Sequence, residues 1–109
     1  MKRPTSEKRV RPPRKLDYAR AFIKDWETLS RSGRYNMRRL EELMLLIVDN
    51  DAPLGPEWKN HPLRAGWEGF LECHVGGDFL LVYNVDDTVG PSGLVTFVRA
   101  GTHSELFNE

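Results

Sequence analysis

The chain is short, and its charges balance overall. It has 109 residues, with 16 Lys and Arg against 16 Asp and Glu, and 39% of its residues are hydrophobic. This length suits one domain with a single core, and no apolar run approaches the ~20 residues that a transmembrane helix needs. The single cysteine, Cys73, excludes an intramolecular disulfide. Together with the absence of a secretory signal, this favours a cytoplasmic protein that does not contact membranes.

The charges are distributed unevenly along the chain. Residues 1–15 carry seven basic side chains and one acid, whereas residues 66–109 carry seven acids and one basic residue, Arg99. A basic arm can bind a polyanion by releasing counterions, and it is equally typical of a solvated tail. Because the N-terminal stretch is charged and interrupted by prolines, we predict a disordered basic arm over residues 1–13 and a single domain over residues 14–109.

The first half of the domain is predicted to contain a short strand and two helices. Residues 14–18 are compatible with an edge strand. Apolar residues at helical spacing predict one helix over residues 18–29 and a second over residues 35–48, with a turn at residues 30–33 between them. Two helices joined by a tight turn form an antiparallel hairpin.

The second half of the domain is predicted to be a small sheet. Alternating side chains and turn residues predict a loop followed by three strands, over residues 54–64, 66–75, 79–85 and 94–99. A polar loop over residues 86–93 joins the last two strands, and residues 104–107 form one helical turn. Helices followed by a meander predict an α+β fold, in which an N-terminal antiparallel helical hairpin packs on one face of a small antiparallel β-sheet. The opposite face is expected to be uncovered.

The predicted strand over residues 66–75 has two chemically different faces. Side chains alternate across a strand, so Trp67, Cys73 and Val75 share one face, which we expect to face the core. Cys73 is therefore predicted to be a buried, unreactive thiol. The other face carries Glu72 and His74, and we expect it to line a cleft.

All three histidines of the chain lie at the edges of this predicted sheet, at His61, His74 and His103. Imidazole titrates near neutral pH, so two histidines can act as base and acid under physiological conditions. Cutting RNA without a metal needs a base for the 2′-hydroxyl, an acid for the leaving 5′-oxygen and a cation such as Arg99 for the phosphoryl oxygens. Two alternatives stay open: ordinary surface histidines, or a zinc site that the three histidines form with Asp78.

Several short motifs in the second half resemble those of a known toxin family. They are His61-Pro62-Leu63, Gly66-Trp67-Glu68-Gly69, His74-Val75, Asp78-Phe79-Leu80-Leu81-Val82-Tyr83, Arg99-Ala100-Gly101-Thr102-His103 and Leu106-Phe107. From about Lys15 to Phe107 the chain resembles the YafQ branch of the RelE/ParE toxin superfamily, which implies a RelE-like fold.

The resemblance also implies a function and partners. The protein would be the toxin of a type II toxin–antitoxin system, an mRNA interferase that needs no cofactor. It would be a ribosome-dependent endoribonuclease, cutting messenger RNA in the A site of the small ribosomal subunit by metal-independent attack of the 2′-hydroxyl. A cognate antitoxin is implied as a partner, and operator DNA would be contacted only through that antitoxin.

Roles for individual residues follow from the same resemblance. The implied catalytic residues are His61, His74, Asp78, Arg99 and His103, and the implied substrate contacts are Glu72, Phe79 and Phe107. We expect His61 to act as general base and His103 as general acid, or the reverse, with His74 and Asp78 positioning them or the phosphate. Arg99 would stabilise the transition state. Phe107 would either stack on a base or dock the C-terminus on the sheet.

The sequence departs from the family pattern in four places. Glu72 replaces an aspartate, Phe79 replaces a tryptophan, the connection over residues 86–93 is longer, and the basic arm is an addition. None of these changes removes a histidine. Two other functions stay open: a non-catalytic ParE-like toxin that binds a partner such as gyrase, and an inactive regulator that binds only an antitoxin and operator DNA.

Overall fold

The structure, a computed structural model, describes residues 12–64 and 66–107 and has the predicted α+β fold. Its elements are β1 Lys15–Tyr18, α1 Arg20–Ser32, α2 Met37–Asp49, a 3₁₀ turn Pro56–Trp58, β2 His61–Pro62, β3 Leu71–Gly76, β4 Phe79–Asp86, β5 Leu94–Gly101 and α3 His103–Phe107. The helical hairpin, the edge strand, the meander and the final helical turn are confirmed. The predicted basic arm lies outside the described residues as far as residue 11 and stays a prediction.

The two helices end at residues that adopt a left-handed backbone conformation. Gly33 has φ 70° and caps α1, which therefore continues to Ser32 and shortens the turn predicted at residues 30–33. Asn36 caps the N-terminus of α2, because its side-chain oxygen accepts a hydrogen bond from the backbone N–H of Arg39 at 3.0 Å.

The sheet has five strands in the order β1-β5-β4-β3-β2. Strand β1 pairs in parallel with β5, so the first strand of the chain lies beside the last, and the other three pairings are antiparallel. None of the helices in the described part of the chain has the length and apolar character to cross a bilayer.

The predicted strand over residues 66–75 is wrong in its first half, since β3 begins at Leu71. Gly66 and Gly69 each have φ 88°, a conformation that favours glycine, and they allow two successive turns instead of a strand. These turns direct the Trp67 ring to the opposite face of the sheet from the one we predicted. There the ring packs edge-on against Phe70 and Phe107, with centroid distances of 5.4 Å to each.

The segment predicted as a loop over residues 54–64 contains a strand, β2, which the sequence pattern did not indicate. Strand β2 has only two residues and pairs antiparallel with β3, so that His61 lies opposite Glu72. Pro62 is acceptable there because an edge strand does not need every backbone N–H group. This pairing places a histidine from a distant part of the chain beside β3.

One face of the sheet packs against the helical hairpin and forms the main core. Phe22 of α1, Leu40 of α2 and Phe97 of β5 are at most 2% exposed. Cys73 and Val75 are fully buried in the same core, which confirms the alternation predicted for this part of β3. The prediction of a buried cysteine is therefore confirmed, and burial raises the pKa of the Cys73 thiol to about 12, which disfavours the reactive thiolate.

The opposite face of the sheet is partly covered, and the prediction that nothing covers it is wrong. Leu80 and Val82 are fully buried there, and Leu106 of α3 is 7% exposed. The rings of Trp67 and Phe107 pack around them. This second cluster fixes α3 on the sheet and leaves the histidines beside it.

We expect truncation of Leu106 to destabilise the protein because α3 is held on the sheet by this side chain. Leu106→Ala should lower the free energy of unfolding by about 2–4 kcal/mol, measured by urea denaturation. The matched control, Leu45→Ala, removes a leucine that is 67% exposed and should change it by less than about 0.5 kcal/mol. Equal effects of the two variants would contradict the packing described here.

Candidate active site

Three elements bring the histidines together on the partly covered face. His61 lies on β2 and His74 on β3, and α3 begins at His103. The ring centroids of His61 and His74 are 5.9 Å apart, and those of His74 and His103 are 6.3 Å apart. The chain therefore places residues that are distant in sequence in one cluster.

The carboxylate of Glu72 lies at the centre of this cluster. Its Oε2 atom is 3.4 Å from His61 Nε2, 3.5 Å from His74 Nε2 and 3.9 Å from His103 Nε2. Glu72 is only 3% exposed, and burying a carboxylate is costly unless nearby donors or positive charges compensate it. The imidazoles are suited to that role. Glu72, predicted as a substrate contact, thus lies beneath the histidines.

His61 is oriented by a backbone carbonyl. Its Nδ1 atom is 2.7 Å from the carbonyl oxygen of Lys59. A carbonyl oxygen only accepts hydrogen bonds, so Nδ1 carries the proton of this bond and Nε2 is the nitrogen that can exchange a proton at the site.

His103 is oriented in the same way by a carboxylate. Asp78 Oδ1 accepts hydrogen bonds from His103 Nδ1 at 2.6 Å and from its backbone N–H at 3.3 Å. These two bonds hold the pKa of Asp78 below its usual value. His103 therefore also has Nε2 directed to the cluster, and the Nε2 atoms of His61 and His103 are 3.4 and 3.9 Å from the same Glu72 oxygen.

Arg99 is held by an ion pair with a helix residue. Its Nε and Nη2 atoms donate to the two oxygens of Asp25 on α1, at 2.7 and 3.0 Å, and the backbone N–H of Ala100 donates to Asp25 at 3.0 Å. This pairing raises the pKa of Arg99 above its usual value. The hydrogen bonds of the Arg99 guanidinium thus join it to the helical hairpin, whereas the three histidines gather around Glu72.

The sequence analysis did not single out Asp25. Asp25 follows Phe22 by three positions and precedes Leu29 by four, so all three share one helix face, and Phe22 and Leu29 are buried. That spacing is the signal that could have identified it. Asp25 fixes the strand segment that leads directly to His103.

The two predicted aromatic contacts lie on opposite faces of the sheet. Phe79 is 5% exposed and packs in the main core against Tyr35, with ring centroids 4.9 Å apart, which leaves little of its ring for a substrate. Phe107 lies beside the histidines, with its ring centroid 6.0 Å from that of His103.

The residues that could bind a metal ion differ from those that we predicted. Among the described residues, the donor atoms of His61, Glu72 and His74 lie within 4.8 Å of one another. The zinc alternative named Asp78 as the carboxylate ligand, and that choice is wrong for this group because Glu72 occupies the position. Imidazole and carboxylate donors of this kind suit a transition metal.

These features define a small α+β protein in which three histidines and a buried carboxylate cluster on one face of the sheet. Its fold is that of solved bacterial toxins. The E. coli DinJ–YafQ complex contains a chain that superposes with a TM-score of 0.74 at 36% identity, covering 86% of this chain and 98% of that chain. A metal-bound toxin from Helicobacter pylori superposes with a TM-score of 0.74 at 33% identity, covering 85% and 98%.

Sequence comparison identifies the family. The model for the bacterial toxin of type II toxin–antitoxin system, YafQ, matches residues 14–108, and the chain belongs to this family. The mRNA interferase toxin YafQ of E. coli strain B / BL21-DE3 is 36% identical over 94 residues, covering 86% of this chain and 96% of the relative. The resemblance inferred from the motifs is confirmed.

We expect loss of the Asp25 carboxylate charge to destabilise the link between α1 and β5. Asp25→Asn should lower the free energy of unfolding by about 1–3 kcal/mol, because it weakens charge-assisted hydrogen bonds to a partly buried arginine. Glu27→Gln, an exposed change on the same helix, is the control and should stay within about 0.5 kcal/mol. If urea denaturation gives the two variants the same stability, the pairing does not support the fold.

A second prediction concerns the ionisation of Asp78. Its folded-state pKa is lowered, so the stability it contributes is present above its usual pKa and is lost as the pH falls through the lowered value. His103→Ala should move the Asp78 pKa up towards its usual value, as measured by NMR titration of the side-chain carboxyl carbon. Asp86 is the internal control, since its pKa is lowered by hydrogen bonds from Thr88 and should not move. An unchanged Asp78 pKa would contradict the pairing with His103.

Proposed function

We propose that this protein is a ribosome-dependent endoribonuclease that cuts messenger RNA in the ribosomal A site and serves as the toxin of a type II toxin–antitoxin pair in the cytoplasm. The observation that carries this proposal is the convergence of three Nε2 atoms on Glu72 Oε2, at 3.4–3.9 Å. The name of its E. coli relative, an mRNA interferase toxin, supports the same activity.

The base and the acid are His61 and His103. Each has its Nδ1 directed to an oxygen acceptor, so each has Nε2 available at the shared carboxylate. His61 takes the proton of the ribose 2′-hydroxyl, whose oxygen then attacks the adjacent phosphorus. His103 protonates the departing 5′-oxygen, leaving a 2′,3′-cyclic phosphate on one fragment and a 5′-hydroxyl on the other. The geometry is equally compatible with the two histidines in exchanged roles.

The remaining site residues position these two groups and bind the substrate. Glu72 and Asp78 orient the imidazoles, and His74 lies between the base and the acid. Arg99 stabilises the charge that develops on the phosphoryl oxygens, and Asp25 holds the arginine until an oxygen of the substrate competes for it. Phe107 stacks on a base of the message, a role that the 6.0 Å distance between its ring centroid and that of His103 supports.

The partner of the toxin is a cognate antitoxin. An E. coli relative was solved in complex with DinJ. In this chain an apolar groove of about 580 Å³ lies between β1 and the two helices, and it exposes Leu16, Tyr18, Ile23 and Leu45. An antitoxin segment that folds on binding would cover such a surface, and operator DNA would be reached only through the antitoxin.

We expect removal of either exchanging histidine to relieve toxicity while the protein still folds. His103→Ala and His61→Gln should each slow cleavage of ribosome-bound message by ~10²–10⁴-fold and should no longer arrest translation when expressed. Arg31→Gln, an exposed change on α1, is the control and should keep the wild-type rate. Full toxicity of both histidine variants would contradict the catalytic assignment.

Assays of DNA supercoiling and of growth inhibition, run beside message cleavage, separate this proposal from the two alternative functions. Inhibition of DNA supercoiling without message cleavage would indicate a ParE-like binding toxin, and lack of growth inhibition by the wild type would indicate an inactive regulator.

Metal independence is tested by treating the toxin with a chelator and removing the chelator before ribosomes are added. The treated toxin should keep its activity, and recovery of lost activity only on addition of a metal ion would show that His61, Glu72 and His74 hold an essential one.

A further inference from the structure

A cleft with two arginines lies next to the histidine cluster. We call it the arginine cleft. It has a volume of about 360 Å³, and its lining includes Arg34, Tyr35 and Arg39 on the helical side and Asp78 and Thr102 on the sheet side. Asp78 also accepts two hydrogen bonds from His103, so the cleft begins where the candidate active site ends.

Arg39 is fixed in this cleft by contacts that do not use a carboxylate. Its Nε donates to the carbonyl oxygen of Val75, and its guanidinium carbon lies 4.2 Å from the centre of the Trp58 ring. Arg34 is exposed, and its guanidinium carbon is 5.8 Å from the centre of the Tyr35 ring. Within residues 12–64 and 66–107, neither arginine forms an ion pair, in contrast to Arg99.

The charge of the cleft is suited to an anion. The lining residues include two arginines and one acidic residue, Asp78, and one oxygen of the Asp78 carboxylate already accepts two bonds from His103. Arg99 is the only Lys or Arg between residues 66 and 109 and is paired with Asp25. Cations for the phosphates next to the one being cut must therefore come from earlier in the chain, where Arg34 and Arg39 line this cleft.

We propose that Arg34 and Arg39 bind a backbone phosphate of the message next to the phosphate that is cut. This inference rests on the function proposed above and adds a subsite to it. The contact is independent of sequence, because a guanidinium group recognises the phosphate and not the base. It would hold the message in register while the histidines act.

The test is the salt dependence of RNA binding by the intact protein. The probe is a fluorescent 2′-O-methyl oligoribonucleotide, which cannot be cut because its 2′-hydroxyls are blocked. For single strands, the slope of log K against log salt concentration changes by about 0.7 for each phosphate contact. The double variant Arg34→Gln/Arg39→Gln loses the contact with this one phosphate, so the slope should become shallower by about 0.7, and Arg34→Gln alone should give part of that change.

The matched control is Arg38→Gln, a neighbour of Arg39 that lines a different groove with Glu41 and Glu42. It should keep the wild-type slope. Arg39 also supports the end of β3, so thermal unfolding is measured for each variant. If the double variant fails to fold, Arg34→Gln alone decides, because Arg34 is exposed.

Each other outcome overturns the proposal or separates it from the proposed function. The proposal is overturned if Arg34→Gln keeps the wild-type slope, or if the wild type does not bind the probe at low salt. Neither result contradicts the proposed cleavage of message. If the arginine variants bind the probe normally but bind ribosomes more weakly, the cleft contacts ribosomal RNA. If they bind only the antitoxin more weakly, the cleft contacts a protein. Either result overturns the proposal. A shallower slope in a protein that cuts no message keeps the phosphate site and rejects the nuclease.

Discussion

The interaction on which the site depends is the contact between one buried carboxylate and three imidazoles. Glu72 is 3% exposed, and such a group is stable in the folded protein only when donors or cations surround it. The Nε2 atoms of His61, His74 and His103 lie 3.4–3.9 Å from it, where they can compensate its charge when they are protonated. The acid/base chemistry that we propose depends on the same convergence of imidazoles.

The rest of the fold supplies the rigidity that this convergence needs. Strand β2 pairs with β3 and thereby sets His61 opposite Glu72. On the other side, the second hydrophobic cluster holds α3 on the sheet, and Asp25 fixes the strand end from which α3 starts. The helical hairpin contributes both the main core and, through Asp25, a direct link to the segment that carries His103. The arginine cleft lies on the same route, between the start of α2 and the end of β3.

Periodicity predicted the helices and the meander well, because the burial of Phe22 and Leu40 on the helices and of Cys73 and Val75 on β3 follows local patterns of apolar residues. It failed where glycine or long-range pairing decides the structure. The turns at Gly66 and Gly69 replaced a strand that alternation alone favoured. The two-residue strand β2 has no periodicity to detect. The histidines could be named from the sequence, whereas the central place of Glu72 and the Asp25–Arg99 pair depend on packing between distant elements.

The chemistry of the cut ends tests the central claim most directly. Message cleaved by the wild-type protein on ribosomes would be examined for the groups at both new termini. Attack by the 2′-hydroxyl between a histidine base and a histidine acid predicts a 2′,3′-cyclic phosphate, or its hydrolysis product, on the upstream fragment and a 5′-hydroxyl on the downstream one. A 5′-phosphate downstream with a free 3′-hydroxyl upstream would contradict the account, since water and not the ribose would then have attacked the phosphorus.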